Sequence, residues 1–274
     1  MPRKVGGTLA RTIGFIGAGK IVDILLTALA PVLKDDTLLV WNRTPARAAS
    51  LAELHPIRVA PSIVELANQS DWLFVAVKPH AMASVLSEAC LHIDENTLVI
   101  SMAAGVTLDS LRSHFAAPPR LARIMPNLPL SVGMGMTAVC VYPTVPEEET
   151  RDLLALFSAV GKARLVEERL FDTVTALSGS GPAFAFLFIE SMADGAVLNG
   201  MDRATAYEFA AQTVMGAARI ILEAGKHPGE LKDIVASPAG TTMAGILSLE
   251  RKAFRAIVMD AIDAAARRSR ELNA

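Results

Sequence analysis

The sequence predicts an α/β protein: a Rossmann-type doubly wound parallel sheet followed by an all-helical C-terminal domain. Three observations carry that prediction. Short β-branched and aromatic runs alternate with helical periodicity from Thr12 to about Ser101. A Gly17-Ala18-Gly19 turn follows the first of those runs. Beyond about Gly161 the chain reads as helix almost to its end.

In chain order, the segments 12–16, 37–41, 72–77 and 97–101 read as strands. They are nearly continuous apolar runs that end in polar or glycine-containing turns, the pattern of parallel strands covered on both faces. Between them, 20–30, 45–55, 62–68 and 81–89 carry apolar residues at helical spacing. Two further strand-like segments, 120–124 and 137–142, extend the sheet, and 162–166 is a short last candidate. The division expected is a nucleotide-binding domain over 1–162 and a helical domain over 163–274. The helical part is punctuated at 178–182, 199–200, 227–229 and 237–240. Residues 182–199 are apolar nearly all round their first two turns, so this helix must be buried. In so small a domain a second copy of the chain is the expected partner, which predicts a homodimer.

Composition narrows the function classes. The 274 residues are 52% hydrophobic, enough for a substantial core, and carry 26 basic against 28 acidic side chains for a formal net charge of −2. Bulk charge therefore gives no pull toward nucleic acid or an anionic membrane. Cys90 and Cys140 both lie in apolar stretches, which argues against a disulfide framework and for a reducing compartment. Arg3 and Lys4 precede an apolar region ending Ala28-Leu29-Ala30, but Gly17, Gly19, Lys20 and Asp23 interrupt it, so no secretory leader is expected. The longest clean apolar run, 183–189, is too short to span a bilayer. The expectation is a soluble, cytoplasmic protein with neither nucleic-acid nor membrane partners.

The turn Gly17-Ala18-Gly19 opens a helix at Lys20 and Ile21. Exposed N–H groups and the positive end of the helix dipole suit a dinucleotide pyrophosphate there. Val22 occupies the position of the motif's third glycine, so the turn alone is also compatible with ordinary chain reversal. The next strand ends in Asn42, Arg43 and Thr44, where an NAD site usually places an acid. A guanidinium, an amide and a hydroxyl instead suit a 2′-phosphate, which predicts NADPH, with NADH as the weaker alternative. Ala76, Val77, Lys78 and Pro79 should end a strand in the ligand crevice. Ala103, Ala104 and Gly105 follow another strand and leave room for a nicotinamide ring. Taken singly, each is equally a loop.

These pieces, in this order, resemble pyrroline-5-carboxylate reductases along almost the whole chain. The resemblance rests on 76–79, 103–107, 125–127 with Pro129, 175–183, and 237–242 followed by Gly245. Most particular are 175–183, Thr-Ala-Leu-Ser-Gly-Ser-Gly-Pro-Ala, and His227-Pro228 ahead of Leu231, Lys232 and Asp233. The resemblance implies a helical domain that interlocks two subunits, with larger rings left open, and a substrate site at the subunit interface. It implies reduction of 1-pyrroline-5-carboxylate to proline with hydride from NADPH. A related cyclic imine carboxylate, or a non-catalytic NADP-binding homologue, are the alternatives.

By the same resemblance Ser178, Glu168, Ser237, Gly240, Thr241 and Thr242 bind substrate, and the Thr242 hydroxyl lies near the imine nitrogen. Physically, 237–242 precedes a helix whose N–H groups can hold a carboxylate. The same residues also read as a plain helix cap, with Ser and Thr hydroxyls on the first N–H groups. Three positions depart from the family: Val22 for Ala, Leu128 for Thr and Ala239 for Gly. If φ at 239 is positive, the methyl group costs about 1 kcal/mol.

No metal is expected. The histidines His55, His80, His92, His114 and His227 are scattered, and only Glu190 and Asp194 pair on one helix face. A ketol-acid reductoisomerase would need such a pair for magnesium, and a β-hydroxyacid dehydrogenase would need a lysine that 182–199 lacks.

Overall fold

The computed structural model describes residues 4–5 and 8–272, with side chains from Ala10 onward; Arg3 and the side chain of Lys4 lie outside the described part. The chain divides into two compact units. One runs through Gly179 and takes back the chain from Ala265; the other is Ser180–Ala264. This differs from the expected division at 162/163, because the segment up to Gly179 packs with the sheet.

In the first unit, β1 (Lys4–Val5) and β2 (Thr8–Leu9) form a small antiparallel pair. The main strands are β3 (Thr12–Ile16), β4 (Thr37–Trp41), β5 (Arg58–Val59), β6 (Trp72–Val75), β7 (Leu98–Ser101), β8 (Arg120–Met125), β9 (Gly135–Val141) and β10 (Gly161–Leu165). They form one sheet in the order β10-β9-β8-β7-β6-β3-β4-β5. All neighbours are parallel except β8 and β9. That pair departs from the expected all-parallel sheet because its link contains only the 3₁₀ turn Leu128–Val132, too short for a crossover.

Helices α1 (Lys20–Leu29), α2 (Pro45–Leu54), α3 (Ile63–Gln69), α4 (Met82–Ala89), α5 (Leu108–Arg112), α6 (Glu147–Ser158) and α7 (Phe171–Val174) belong to the unit, as does the end of the last helix from Ala265. Each strand serves both faces by alternation. Ile13, Phe15, Trp72 and Phe74 pack with α1, α2 and α6, whereas Ile16, Leu73, Val75 and Val99 pack with α3, α4 and α5. Phe15 and Phe74 stack with centroids 5.0 Å apart.

Five elements were not anticipated: β1, β2, β5, α5 and α6. The signal for α6 is present in hindsight. Pro146 precedes Glu147, Glu148 and Glu149, whose charges complement the helix N-terminus, and Thr150, Leu153, Leu156 and Phe157 form its buried face. Its acids also anchor it. Glu149 accepts from Trp72 Nε1 (3.0 Å) and Arg120 Nη1 (3.1 Å), and Asp152 pairs with Arg11, whose guanidinium lies 4.4 Å over Trp72.

The second unit contains α8 (Gly181–Leu198), α9 (Arg203–Ala224), α10 (Pro228–Val235), α11 (Thr241–Arg251) and the start of α12 (Phe254–Glu271). Ala193, Ala206 and Ala210 are buried where α8 meets α9. Within the chain Phe186, Leu187 and Phe188 remain 55%, 64% and 38% exposed. The helical run Glu168–Leu198 is long and apolar enough, by length and composition alone, to cross a bilayer, with 6% of its most apolar window buried. The clean apolar run 183–189 is itself short, and Met192, Val197 and Leu198 keep the mean hydropathy of the longer helix high past Glu190.

Gly161 pairs in register with Gly135 at φ +147°, and an added Cβ would lie 2.1 Å from the Gly135 carbonyl oxygen. Gly161→Ala is therefore expected to cost about 2–4 kcal/mol from combined strain and overpacking, read as a lowered urea midpoint at unchanged slope.

Candidate functional site

The sheet reverses its winding between β3 and β6, so the crevice at their C-terminal ends is the natural ligand site. Gly17 sits there at φ +109°, and its N–H donates to the Trp41 carbonyl at 2.8 Å. A Cβ at Gly17 would come within 2.7 Å of the Ala76 carbonyl oxygen, so only glycine fits under the β6 loop. Gly19 is the N-cap of α1, makes no side-chain cap and faces open space. Lys20 and Ile21 form the first turn behind it. Val22 is fully buried against the sheet, so the departure there serves core packing.

Asn42 links this turn to the next loop. Its Oδ1 accepts from Ala18 N–H at 3.1 Å and its Nδ2 donates to the Thr44 carbonyl at 2.9 Å. Asn42 is thus first a strut between two loops, a role sequence reading did not assign. Arg43 and Thr44 are exposed beside it. Arg47, in the first turn of α2, lines an open cleft with Ala18, Gly19, Lys20 and Ser50; it was also missed, although its place four residues after Arg43 was a visible signal.

The one acid in the first turn of α1 is Asp23, and its charge is balanced. His55 Nε2 lies 2.9 Å from Oδ1 and Lys20 Nζ lies 3.0 Å from Oδ2. These partners, His55 foremost, hold the carboxyl below its ordinary range.

Ala76 and Val77, expected at the end of a strand, instead leave the sheet after Val75; Lys78 follows and precedes the 3₁₀ turn Pro79–Ala81. On the neighbouring strand end, Ala103 and Gly105 are buried and Ala104 is half-buried. The residues expected at the cofactor thus gather along one edge of the sheet.

Two expected substrate residues also belong to the first unit. Glu168 Oε1 accepts from Arg123 Nη1 and from Leu108 N–H, both at 2.6 Å. Arg123 is buried on β8, with its guanidinium 4.6 Å over the Phe171 ring. Burial, with the nearby Glu168 charge, raises the Cys140 thiol above its usual range. Arg123 was not anticipated, although an arginine between the apolar residues Ala122 and Ile124 of a strand is a recognisable signal. Ser178 lies in a π-helical turn, Thr175–Gly179, a distortion common at functional sites.

Ser237, Ala239, Gly240, Thr241 and Thr242 belong to the second unit. Gly240 is the N-cap of α11 and no side chain caps that helix, so the hydroxyl cap expected as the plain reading is not formed. Ala239 has φ +55°. Asp194 pairs with Arg203, not with Glu190. Among the described residues no three His, Cys, Asp or Glu side chains gather within reach of a metal ion.

Residues 168–272 match the family described as pyrroline-5-carboxylate reductase dimerisation, and 12–105 match one described as NADP oxidoreductase, coenzyme F420-dependent. The chain is 42% identical over 267 residues to pyrroline-5-carboxylate reductase of Escherichia coli (strain K12), covering 97% of this chain and 99% of that one. It is 45% identical over 262 residues to the Methanosarcina acetivorans protein of the same name, covering 95% and 97%. The crystal structure of Plasmodium falciparum pyrroline carboxylate reductase with NADP bound superposes with a TM-score of 0.87 at 28% identity, covering 96% of this chain and 98% of that one.

The left-handed backbone at Ala239 makes a direct prediction. Ala239→Gly should stabilise the protein by about 0.5–1 kcal/mol by relieving the Cβ clash. An unchanged denaturant midpoint would show that the chain bears no strain there.

Proposed function

The chain belongs to the pyrroline-5-carboxylate reductase family, and from that premise we propose how its own residues divide the work of the reaction. The enzyme reduces the C=N bond of 1-pyrroline-5-carboxylate to proline with NADPH, the last step of proline biosynthesis. The observation that carries the reading is the crevice edge: Gly17 pressed beneath Ala76, Gly19 open above α1, and Arg43 exposed where an acid would select NAD.

That edge fits the dinucleotide. A side chain at Gly19 would fill the open space where a pyrophosphate can approach the N–H groups of Lys20 and Ile21. Bound NADPH supplies the hydride. Arg43 and Thr44 donate to the 2′-phosphate, with Asn42 holding their loop against the glycine turn. Ala103, Ala104 and Gly105 keep side-chain bulk away from the nicotinamide, and Lys78 with Pro79 borders it.

On the substrate side, the uncapped first turn of α11, with Ser237, Gly240 and Thr241, receives the carboxylate. The Thr242 hydroxyl donates toward the imine nitrogen and relays its proton, while Ser178 and Glu168 contribute from their own unit. An iminium already protonated by solvent needs little of this help, so Thr242 orients more than it acidifies. The 168–272 region is a dimerisation domain, and a second copy covers the exposed apolar residues of α8 in this reading. A homodimer in a cytoplasmic setting completes the proposal.

Two substitutions test it. Arg43→Ala should raise KM for NADPH roughly tenfold or more through loss of a charge-assisted contact of about 1.5–3 kcal/mol, and leave NADH nearly unaffected. Equal effects on the two cofactors would remove Arg43 from phosphate recognition. Thr242→Ala should lower kcat/KM by roughly ten- to a hundredfold with NADPH binding intact, the deficit widening as pH rises and pre-protonated substrate grows scarce. Thr242→Ser should recover most of the activity. Wild-type kcat/KM for Thr242→Ala from neutral to alkaline pH would leave carboxylate anchoring as the main work of that segment.

A further inference from the structure

Asn127 follows β8 and faces the π turn, and its contacts fix which way its amide points. The Met136 N–H lies 2.9 Å from Asn127 Oδ1. A backbone N–H only donates, so the atom it meets is the amide oxygen and Nδ2 faces Ser178. Nδ2 is 3.1 Å from the Ser178 carbonyl oxygen and 3.2 Å from Ser178 Oγ.

The first of these contacts has a cause in the sequence. In a continuing α-helix the Ser178 carbonyl would accept from the residue four positions on, which is Pro182 and has no N–H. Ala183 N–H, the next donor along, goes to the Ser180 carbonyl at 2.9 Å. Asn127 supplies the donor that Pro182 lacks, at the place where the helix widens into its π turn.

The second contact has a chemical consequence. A hydroxyl that accepts from an amide N–H must place its single proton elsewhere. The other neighbour of Ser178 Oγ is the Met136 carbonyl at 3.5 Å, at the outer limit of a hydrogen bond. The Ser178 proton is therefore weakly held and available to an incoming acceptor.

We propose that Asn127 is a positioning residue of the reductase: by donating to Ser178 it props the π turn and commits the Ser178 hydroxyl to donate toward an anionic oxygen of the imino acid. The proposal rests on the reading of Ser178 as a substrate residue.

Asn127→Asp is the informative variant. The introduced carboxylate still accepts from Met136 N–H, but it now also accepts from Ser178, which withdraws the hydroxyl proton from substrate. KM for 1-pyrroline-5-carboxylate should rise roughly tenfold or more, while KM for NADPH stays within about twofold of wild type. Asn127→Ala frees the hydroxyl without reversing it, so its loss should be smaller than that of Asn127→Asp. The double variant Asn127→Asp/Ser178→Ala, which still lacks the donor to the Ser178 carbonyl, should lose less than the product of the two single losses.

An unchanged KM for the imino acid in Ser178→Ala would sink the assignment of Ser178 to substrate. A raised KM in Ser178→Ala with none in Asn127→Asp would overturn the role of Asn127 alone. Equal losses from the alanine and aspartate variants, or multiplying losses in the double variant, would mark Asn127 as purely structural and overturn the proposal. Should Asn127→Asp fail to fold, the cycle of Asn127→Ala with Ser178→Ala reads the same coupling.

Discussion

The close approach of Gly17 to the Ala76 carbonyl is the constraint on which the crevice edge of the sheet depends. β3 and β6 are parallel neighbours, with Ile16 opposite Val75, so the chain leaving β3 must turn immediately beneath the chain leaving β6. No Cβ fits in that gap, and φ at Gly17 is positive. The turn then delivers Gly19 to the N-terminus of α1 with its N–H groups turned outward, while Asn42 fastens the same turn to the β4 loop. A larger residue at 17 would push apart the strand ends that frame the crevice. The turn into α1 and the packing of the sheet are therefore satisfied by one conformation.

Charge inside the first unit is handled by pairing. Arg123 is buried on β8, and the cost of desolvating a guanidinium is offset by the Glu168 carboxylate and the Phe171 ring face. Glu168 in turn meets the Leu108 N–H at the start of α5, just beyond Gly105. One buried cation thus joins the loop expected beneath the nicotinamide to the segment leading into the π turn. Asn127, just past the end of β8, holds that turn through its two hydrogen bonds to Ser178. At the opposite end of the sheet, Asp36 accepts from Arg11 N–H at 2.8 Å, yet burial still raises its carboxyl above the usual range.

The helical unit follows a different logic. Its internal contact between α8 and α9 is made by alanines, which permit close approach but bury little apolar area. Phe186, Leu187, Ile257 and Met259 remain largely exposed within one chain. A domain built this way is completed by association, which agrees with the match of this region to a dimerisation family. The same composition lets α8 pass for a membrane helix by length and hydropathy alone.

By itself the sequence determined whatever depends on neighbours along the chain. β3 and β4 were legible to the residue because β-branched runs bounded by turns have no other stable reading. The glycine turn between β3 and α1 was legible because a strand–glycine–helix order is a local signal. The cost at Ala239 was legible only as a condition, and its φ of +55° meets that condition. The tertiary structure alone decided the antiparallel turn of β9, the burial of Arg123 against Glu168, the use of Asn42 as a strut and the grip of Asn127 on Ser178. The partners in the two contacts to Glu168 and in that to Ser178 lie 45, 60 and 51 residues apart. Propensity and periodicity act over a few residues, whereas a hydrogen bond at such separation exists only once the topology has brought the partners together.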